Sequence, residues 1–324
     1  MSGMLRQRRI GTAILMAVGL VGAVAVAPTA RAGPVVAAGV TARVAGFADL
    51  VWYNDQTGET QIWFMNEHRL VRRSTVVDAN GVPALVGPPF RIVGISDKDE
   101  DGHPDIVWHH DQTGETRIWF MKENRIVRQA TVVDQNGAPA LVGPPFRIVG
   151  ISEMDYFSYD DIIWYNDQTG ETRIWFMGRE KILSQATVLG ENGLPALVGP
   201  PFRIVGISDV NGDGPGDIVW HHDQTGETRI WIMNIDRIYR QATVLGENGQ
   251  PAFVGPPFRI VGVGDMNSDG YADIVWHHDQ TGETRIWFMR GERVIRQATV
   301  VGENGQPALV GPPFRIVGVS ERYG

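Results

Sequence analysis

The tryptophan that follows the motif D-[IL]-[VI] returns at Trp52, Trp108, Trp164, Trp220 and Trp276, 56 residues apart each time, and no insertion or deletion interrupts the five copies. A fixed period of this size marks a unit that cannot bury its apolar surface alone and must stack on copies of itself. Length alone, at 324 residues, would suggest about two domains of roughly 150 residues. The repeat replaces that expectation with five equal units.

One unit reads as four short strands. Phe90-Arg-Ile-Val-Gly-Ile-Ser96 is rich in β-branched residues and follows Gly87-Pro88-Pro89, which can neither continue a ladder nor start a helix. Ile106-Val-Trp-His-His110 and Arg117-Ile-Trp-Phe-Met121 flank Gln112-Thr-Gly-Glu115, the pattern of a hairpin with a tight Thr-Gly turn. A two-residue turn would set Trp108 opposite Trp119 and His110 opposite Arg117 on one face, with Val107 and Phe120 on the other; a G1 bulge would shift that register by one. Residues 125–133 supply the fourth strand. No helical period appears anywhere in the unit.

Four-stranded antiparallel sheets repeated without drift suit a closed ring, so the expected fold is an all-β, five-bladed β-propeller. The two ends of the repeat region agree with closure. The repeats begin at Phe47-Ala-Asp-Leu-Val-Trp52, the second strand of a unit, and finish with Phe314-Arg-Ile-Val-Gly-Val-Ser320, a first strand. Closure then requires the last strand to complete the first blade, and the propeller to span residues 47–322. The competing arrangement has residues 41–46 standing in as that first strand, with an imperfect ring.

Between the first two strands lies an acidic loop, D-x-[DN]-x-D-G-x-x-D. Side-chain oxygens at positions 1, 3, 5 and 9, a glycine at 6 and a backbone carbonyl at 7 can surround a hard cation, and an all-oxygen donor set suits Ca²⁺ better than Zn²⁺. Three loops keep the pattern: Asp97, Asp99, Asp101, His103 (by its carbonyl) and Asp105; Asp209, Asn211, Asp213, Pro215 and Asp217; and Asp265, Asn267, Asp269, Tyr271 and Asp273. The third copy offers Glu153, Asp155, Phe157 and Asp161, with Ser158 for the glycine, and is expected to bind no metal or to bind it weakly. The fifth loop is divided between Asp49 and Ser320-Glu321. A cation here would be structural, joining the first strand to the second.

The block D-x-[DN]-x-D-G-x-x-D-[IL]-[VL]-W, followed by T-G-x-x-x-I-W-x-M, resembles the FG-GAP/VCBS-type repeats of integrin-α-like propellers and of bacterial and fungal propeller lectins. The resemblance covers about 280 residues. It implies a propeller whose acidic loops hold Ca²⁺ between the innermost strand of a blade and the next, and it leaves activity open, because such repeats serve as adhesion modules, lectins and appendages of enzymes. The Phe157 loop and the number of blades depart from that family, whose members often have seven.

Candidate ligand groups recur with the repeat. Trp108, His110, Arg117 and Trp119, with their counterparts Trp220, His222, Arg229, Trp231 and Trp276, His278, Arg285, Trp287, could frame a polar and aromatic pocket in which a sugar ring lies on an indole. The competing reading places the tryptophans in the core and splits each His-His pair between packing and solvent, since adjacent residues on a strand face opposite ways and cannot grip one Zn²⁺. Catalysis is disfavoured: acid–base work at a glycosidic bond needs two carboxylates in different environments, and near-identical copies supply equivalent ones. Repetition instead favours a multivalent binder of cell-surface or extracellular glycans or glycoproteins, with a protein-interaction propeller and a glycan-active enzyme as alternatives.

Residues 1–32 read as a secretory signal, with Arg6, Arg8 and Arg9 at its start, an apolar stretch over 10–26 and Ala30-Arg31-Ala32 as a cleavage site. Residues 33–46 form a leader. Removal of the signal takes away four arginines and moves the formal charge from −8 to −12, a poor match for nucleic acid or an anionic membrane. No other apolar run is long enough to span a bilayer. The chain has no cysteine, so export implies stability from packing, ring closure or bound metal rather than disulfides.

Overall fold

The computed structural model describes residues 46–157 and 159–320. The expected signal and nearly all of the leader lie outside the described residues, as do Ser158 and Glu321.

Among the described residues, twenty strands form five four-stranded antiparallel sheets. Blade 1 holds β1 (Leu50–Asn54), β2 (Thr60–Asn66) and β3 (Arg69–Thr75). Blade 2 is β4 (Phe90–Ser96), β5 (Asp105–His110), β6 (Thr116–Lys122) and β7 (Arg125–Thr131). Blade 3 is β8 (Phe146–Ser152), β9 (Asp161–Asn166), β10 (Thr172–Gly178) and β11 (Lys181–Thr187). Blade 4 follows with β12 (Phe202–Ser208), β13 (Asp217–His222), β14 (Thr228–Asn234) and β15 (Arg237–Thr243). Blade 5 is β16 (Phe258–Gly264), β17 (Asp273–His278), β18 (Thr284–Arg290) and β19 (Arg293–Thr299), and β20 (Phe314–Val319) is the last strand.

The inner strands β4, β8, β12, β16 and β20 touch in succession and β20 touches β4, which closes the ring. Blade-to-blade approach is tight at the axis. A Cβ on Gly94 would sit 2.1 Å from Cγ1 of Ile151 in the next blade, so only glycine lets the two strands come this close. A bulge between Ile92 and Gly94, repeated in the other blades, bends the strand at this point.

Each second strand is buried along both faces because it lies between two neighbouring sheets, whereas each outermost strand buries little beyond one residue, such as Ile126 in β7. The core is therefore five separate clusters, one per joint. Trp108 and Trp119 pack with Val51 and Ile62 of blade 1, while Val107 and Phe120, on the opposite face, pack with Trp164 and Trp175 of blade 3. The fifth cluster joins Val275, Ile286 and Phe288 of blade 5 to Leu50, Trp52 and Trp63 of blade 1.

β20 pairs antiparallel with β1, with Trp52 opposite Ile316 and Asn54 opposite Phe314, so the C-terminal strand fills the first place in blade 1. Ser320 N–H donates to the Asp49 carbonyl at 2.9 Å and Asp49 N–H to Ser320 Oγ at 2.7 Å. A second closure lies at the outer rim. The segment after each outer strand crosses to the next blade and forms one parallel bridge there, and the same bridge joins Val301 of blade 5 to Arg69 of blade 1. Crossing segments of this kind cover the outer edges, which would otherwise be open to pairing with other chains.

The hairpin register differs from the expected one by two residues. Trp108 lies opposite Arg117 and Ile106 opposite Trp119. The turn contains four residues, 111–114, closed by His110 N–H to the Glu115 carbonyl and Gly114 N–H to the His110 carbonyl, each 2.8 Å. A shift of two keeps every side chain on its expected face. The longer turn is held by His110 Nδ1, which accepts from Gln112 N–H at 3.3 Å and Thr113 N–H at 3.1 Å.

Candidate metal loops and inter-blade grooves

The loop from Asp97 to Asp105 is organised by two carboxylates at its ends. Asp97 accepts from Asp101 N–H at 3.1 Å and Gly102 N–H at 2.8 Å, folding the loop back on itself. Asp105 is fully buried and receives Lys98 N–H on Oδ2 at 2.9 Å and Met121 N–H on Oδ1 at 2.8 Å, so one side chain fastens the loop and the third strand to the second. Carboxylate oxygens of Asp97, Asp99 and Asp105 lie within 4.8 Å of one another. Asp99 Oδ1 is buried with no hydrogen-bond partner.

Burial pushes the Asp105 carboxyl up to about 8 against the pull of its backbone donors, and burial followed by the Asp101 charge raises that of Asp99. Lys98, Arg128 and Arg179 act on these carboxylates but do not offset the burial, which raises both. The cluster's donors are all oxygen and one Asp99 oxygen has no hydrogen-bond partner, which fits a hard divalent cation.

The other two full loops repeat the frame with a neutral third position. Asp209 accepts from Gly212, Asp213 and Gly214 N–H at 2.6, 3.2 and 2.7 Å, and Asn211 donates its amide to Asp213 at 2.9 Å. Asp265 accepts from Asn267, Asp269 and Gly270 N–H, and Asn267 donates to Asp269 at 3.1 Å. Asp217 and Asp273 fasten their strands as Asp105 does. Among the described residues, only the first loop gathers three carboxylates closely enough to share one ion.

The third loop separates fastening from metal binding. Phe157 is 74% exposed, so position 5 offers no oxygen, yet Asp161 still receives Met154 N–H at 3.0 Å and Met177 N–H at 2.8 Å. Asp49 likewise receives Met65 N–H at 2.9 Å. Position 9 therefore serves the fold in all five blades. The signal was available in the sequence, since this aspartate survives in the copy that lacks the ligand at position 5 and the glycine after it.

The predicted ligand residues divide among three environments. Trp108, Trp220 and Trp276 are 1% exposed, each inside the joint with the preceding blade. His110, Arg117 and their counterparts gather instead around a phenylalanine at the turn end of the blade. The His110 ring meets Phe90 edge-on at 4.6 Å, and Arg117 lies 4.7 Å over the same ring while holding Glu115 through two bonds. Phe202 with His222 and Arg229, and Phe258 with His278 and Arg285, repeat this. In blades 1 and 3, Asn54 and Asn166 cap the turn as His110 does.

The first histidine of each pair is buried. His109 Nδ1 lies 3.1 Å from Thr116 Oγ1 and the ring meets Trp164 of the next blade edge-on at 5.6 Å. Burial holds it neutral, down to about 4, and does the same for His221. Tyr53 and Tyr165 fill the same position in the remaining blades and donate to the carbonyls of Val86 and Val198.

The second tryptophans lie nearer the surface. Trp231, Ile238 and Gln241 of blade 4 form one wall of an open groove of about 380 Å³, whose other wall is the segment crossing from blade 3, with Glu191, Asn192, Pro195 and Leu197. Trp231 Nε1 donates to Gln241 Oε1 at 3.2 Å. A groove of about 400 Å³ at the next joint is lined by Glu247, Asn248, Gln250, Pro251 and Gln297. The sequence frames one pocket with both tryptophans, the histidine and the arginine; in the structure Trp231 borders this groove, whereas His222 and Arg229 lie around Phe202.

No family model matches the chain, and no curated protein does. Solved structures that it resembles include an Agrocybe aegerita lectin described as recognising non-reducing terminal N-acetylglucosamine, at 13% identity over 80% of this chain and 91% of that one, with a TM-score of 0.37. A chain of a nidogen/laminin complex matches at 13% identity over 84% and 97%, also at 0.37. The Cps50 (Swd1) propeller domain of Myceliophteria thermophila matches at 10% identity over 86% and 90%, at 0.36. Likenesses at this level carry no argument about activity.

Proposed function

We propose that the protein is a secreted, calcium-stabilised propeller of the FG-GAP/VCBS type that binds carbohydrate in the grooves between its blades. The observation that carries this reading is the groove beside Trp231. There an indole, an exposed Leu197 and the amides of Asn192 and Gln241 line one open cleft, the combination that receives the C–H face of a sugar and its hydroxyls. Repetition at successive joints supplies several weak sites on one rigid body, which gain avidity on a surface that displays many copies of a glycan.

Calcium, when bound, neutralises the acidic loops and ties inner strands to their neighbours; Asp97, Asp99, Asp101 and Asp105 would hold it in blade 2. The buried carboxylates at position 9 are engaged with backbone N–H groups, which favours binding over hydrolysis. A protein-interaction role is the second reading, supported by the apolar side chains Leu85, Leu141, Leu197, Phe253 and Leu309, which recur about 60% exposed on the crossing segments.

A glycan array probed with and without EDTA tests both. The expected result is retention on a subset of glycans, inhibited by the free sugar and weakened by Gln241→Ala. Absence of retention on every glycan, in calcium as well as in EDTA, would refute the carbohydrate reading.

A further inference from the structure

Beside the outer strands, four of the five joints carry the same latch. An arginine of the outer strand crosses to a carboxylate in the turn before the outer strand of the next blade: Arg72 to Glu123 at 3.0 Å, Arg128 to Glu180 at 3.2 Å, Arg240 to Glu292 at 3.1 Å and Arg296 to Glu67 at 3.0 Å. In blades 1, 2 and 5 the guanidinium also lies over the phenylalanine opposite it in the third strand, 3.7 Å from Phe64, 3.6 Å from Phe120 and 3.8 Å from Phe288.

The joint between blades 3 and 4 keeps two parts of that latch and lacks the third. Phe176 is in place, but the residue opposite it is Ser184 where blades 1, 2, 4 and 5 have arginine. Phe176 is 8% exposed, against 1% for Phe120 and 0% for Phe288. Asp236 stands in the register of Glu180 and Glu292. Its carbonyl accepts from Leu189 N–H at 2.8 Å, as that of Glu180 accepts from Val133 and that of Glu292 from Leu245, so the turn is seated as in the latched joints. Among the described residues, no ion pair engages Asp236. Arg128 acts in addition on Asp99 in the acidic loop of its own blade; the counterpart of that carboxylate in blade 3 is Asp155.

We propose that the joint between blades 3 and 4 is a binding site for an arginine side chain of a partner polypeptide. The incoming guanidinium takes the place that Arg128 fills one joint earlier, with its plane over the Phe176 ring and its N–H fork on Asp236. A lysine would bring a point charge with no flat face for the ring. Free arginine would set its own carboxylate beside Asp155 and Asp236, a like-charge contact that an arginine inside a peptide avoids. Leu183 and Ile235, next in the chain to Ser184 and Asp236, are 55% and 36% exposed and offer apolar contact to the residues on either side of that arginine. The site involves neither Trp231 nor Gln241 and stands apart from the carbohydrate reading.

Nuclear magnetic resonance of the full chain, isotope-labelled at phenylalanine, tests this, with the Phe176 signal assigned from Phe176→Leu. One exposed contact of this kind is weak, so the probe acetyl-Gly-Arg-Gly-amide should shift the Phe176 signal with saturation in the millimolar range. Acetyl-Gly-Lys-Gly-amide and free L-arginine should each bind more weakly by about threefold or more. Asp236→Asn should weaken the arginine peptide by a similar factor, and Ser184→Arg should abolish its effect, because the installed guanidinium covers the ring as in blades 1, 2 and 5. An unmoved Phe176 signal in the parent, or the same response in Ser184→Arg as in the parent, would overturn the proposal. Equal affinity for the lysine peptide would overturn the choice of a guanidinium, and equal affinity for free L-arginine the assignment to a polypeptide.

Discussion

Substitution of Asp161 separates the two roles of the acidic loops, because blade 3 keeps the fastening carboxylate and lacks the ligand at position 5. Asp161→Ala leaves the N–H groups of Met154 and Met177 buried without an acceptor. Each orphaned donor costs about 1–3 kcal/mol, so the pair costs roughly 2–6 kcal/mol. The burial that pushes the Asp161 carboxyl up to about 8 opposes this loss and draws the net value toward the low end. At about 2–4 °C per kcal/mol for a large domain, Tm should fall by roughly 5–15 °C. Asp161→Asn keeps Oδ1 for Met177 and should lose about half as much. The assay is thermal unfolding followed by tryptophan fluorescence, in calcium and in EDTA, beside Asp105→Ala. The Asp161→Ala loss should be the same in both buffers, whereas the Asp105→Ala loss should be larger in calcium. A variant within about 0.5 kcal/mol of the parent, the range of an ordinary surface change, would refute the fastening role; a loss seen only in calcium would show that the third loop binds the ion after all.

The buried histidines make acid sensitivity a property of particular joints. His109 and His221 are held down to about 4 by burial, below the unfolded value near 6.5, so their stabilising contribution is complete above pH 6.5 and declines as pH falls toward 4. Replacing His109, His221 and His277 with tyrosine, as in blades 1 and 3, should flatten the fall of Tm with pH relative to the parent. Asp99→Asn removes the orphaned carboxylate from the blade 2 loop and should weaken calcium binding there at least tenfold by calorimetry, with the calcium-dependent rise in Tm reduced accordingly. Deleting residues 314–324 strips β1 of its partner and uncovers the blade 5 to blade 1 cluster; size-exclusion chromatography should show loss of the folded monomer in favour of aggregates.

How much could be read beforehand depended on whether a feature left a repeated mark. The ring, its number of blades and its closing strand followed from an uninterrupted period and from where the repeats begin and end. The hairpin register did not, because Thr-Gly suggests a tight turn while the side chain that lengthens it, His110 or Asn54, is identified only by the N–H groups it accepts. The faces survived that error, since a slip of two restores the alternation. The rim grooves were invisible for a different reason: each depends on a single bridge, such as Leu189 to Arg237, made by a segment with no strand pattern of its own.

Departures from the repeat were the more informative residues. Phe157 removes a ligand and leaves Asp161 in place, which separates metal binding from strand fastening. Lys98 sets a cation at the loop position where the next three loops bury Met154, Val210 and Met266, and three carboxylates and a carbonyl of blades 2 and 3 gather around it. A charge is tolerated at full burial only where neighbours are arranged to meet it, so that joint is built to receive a cation. Val107 and Ile118 of blade 2 present the same apolar wall there that Val51 and Ile62 of blade 1 present at the joint between blades 1 and 2. That equivalence is why Lys98→Met should be tolerated, as at the joints where Met154 and Met266 are buried, with a change in Tm of no more than a few degrees, whereas Lys98→Ala should cost about 2–4 kcal/mol through the emptied space. Equal losses for the two substitutions would mean that the ammonium itself, rather than the filling of the joint, holds blades 2 and 3 together.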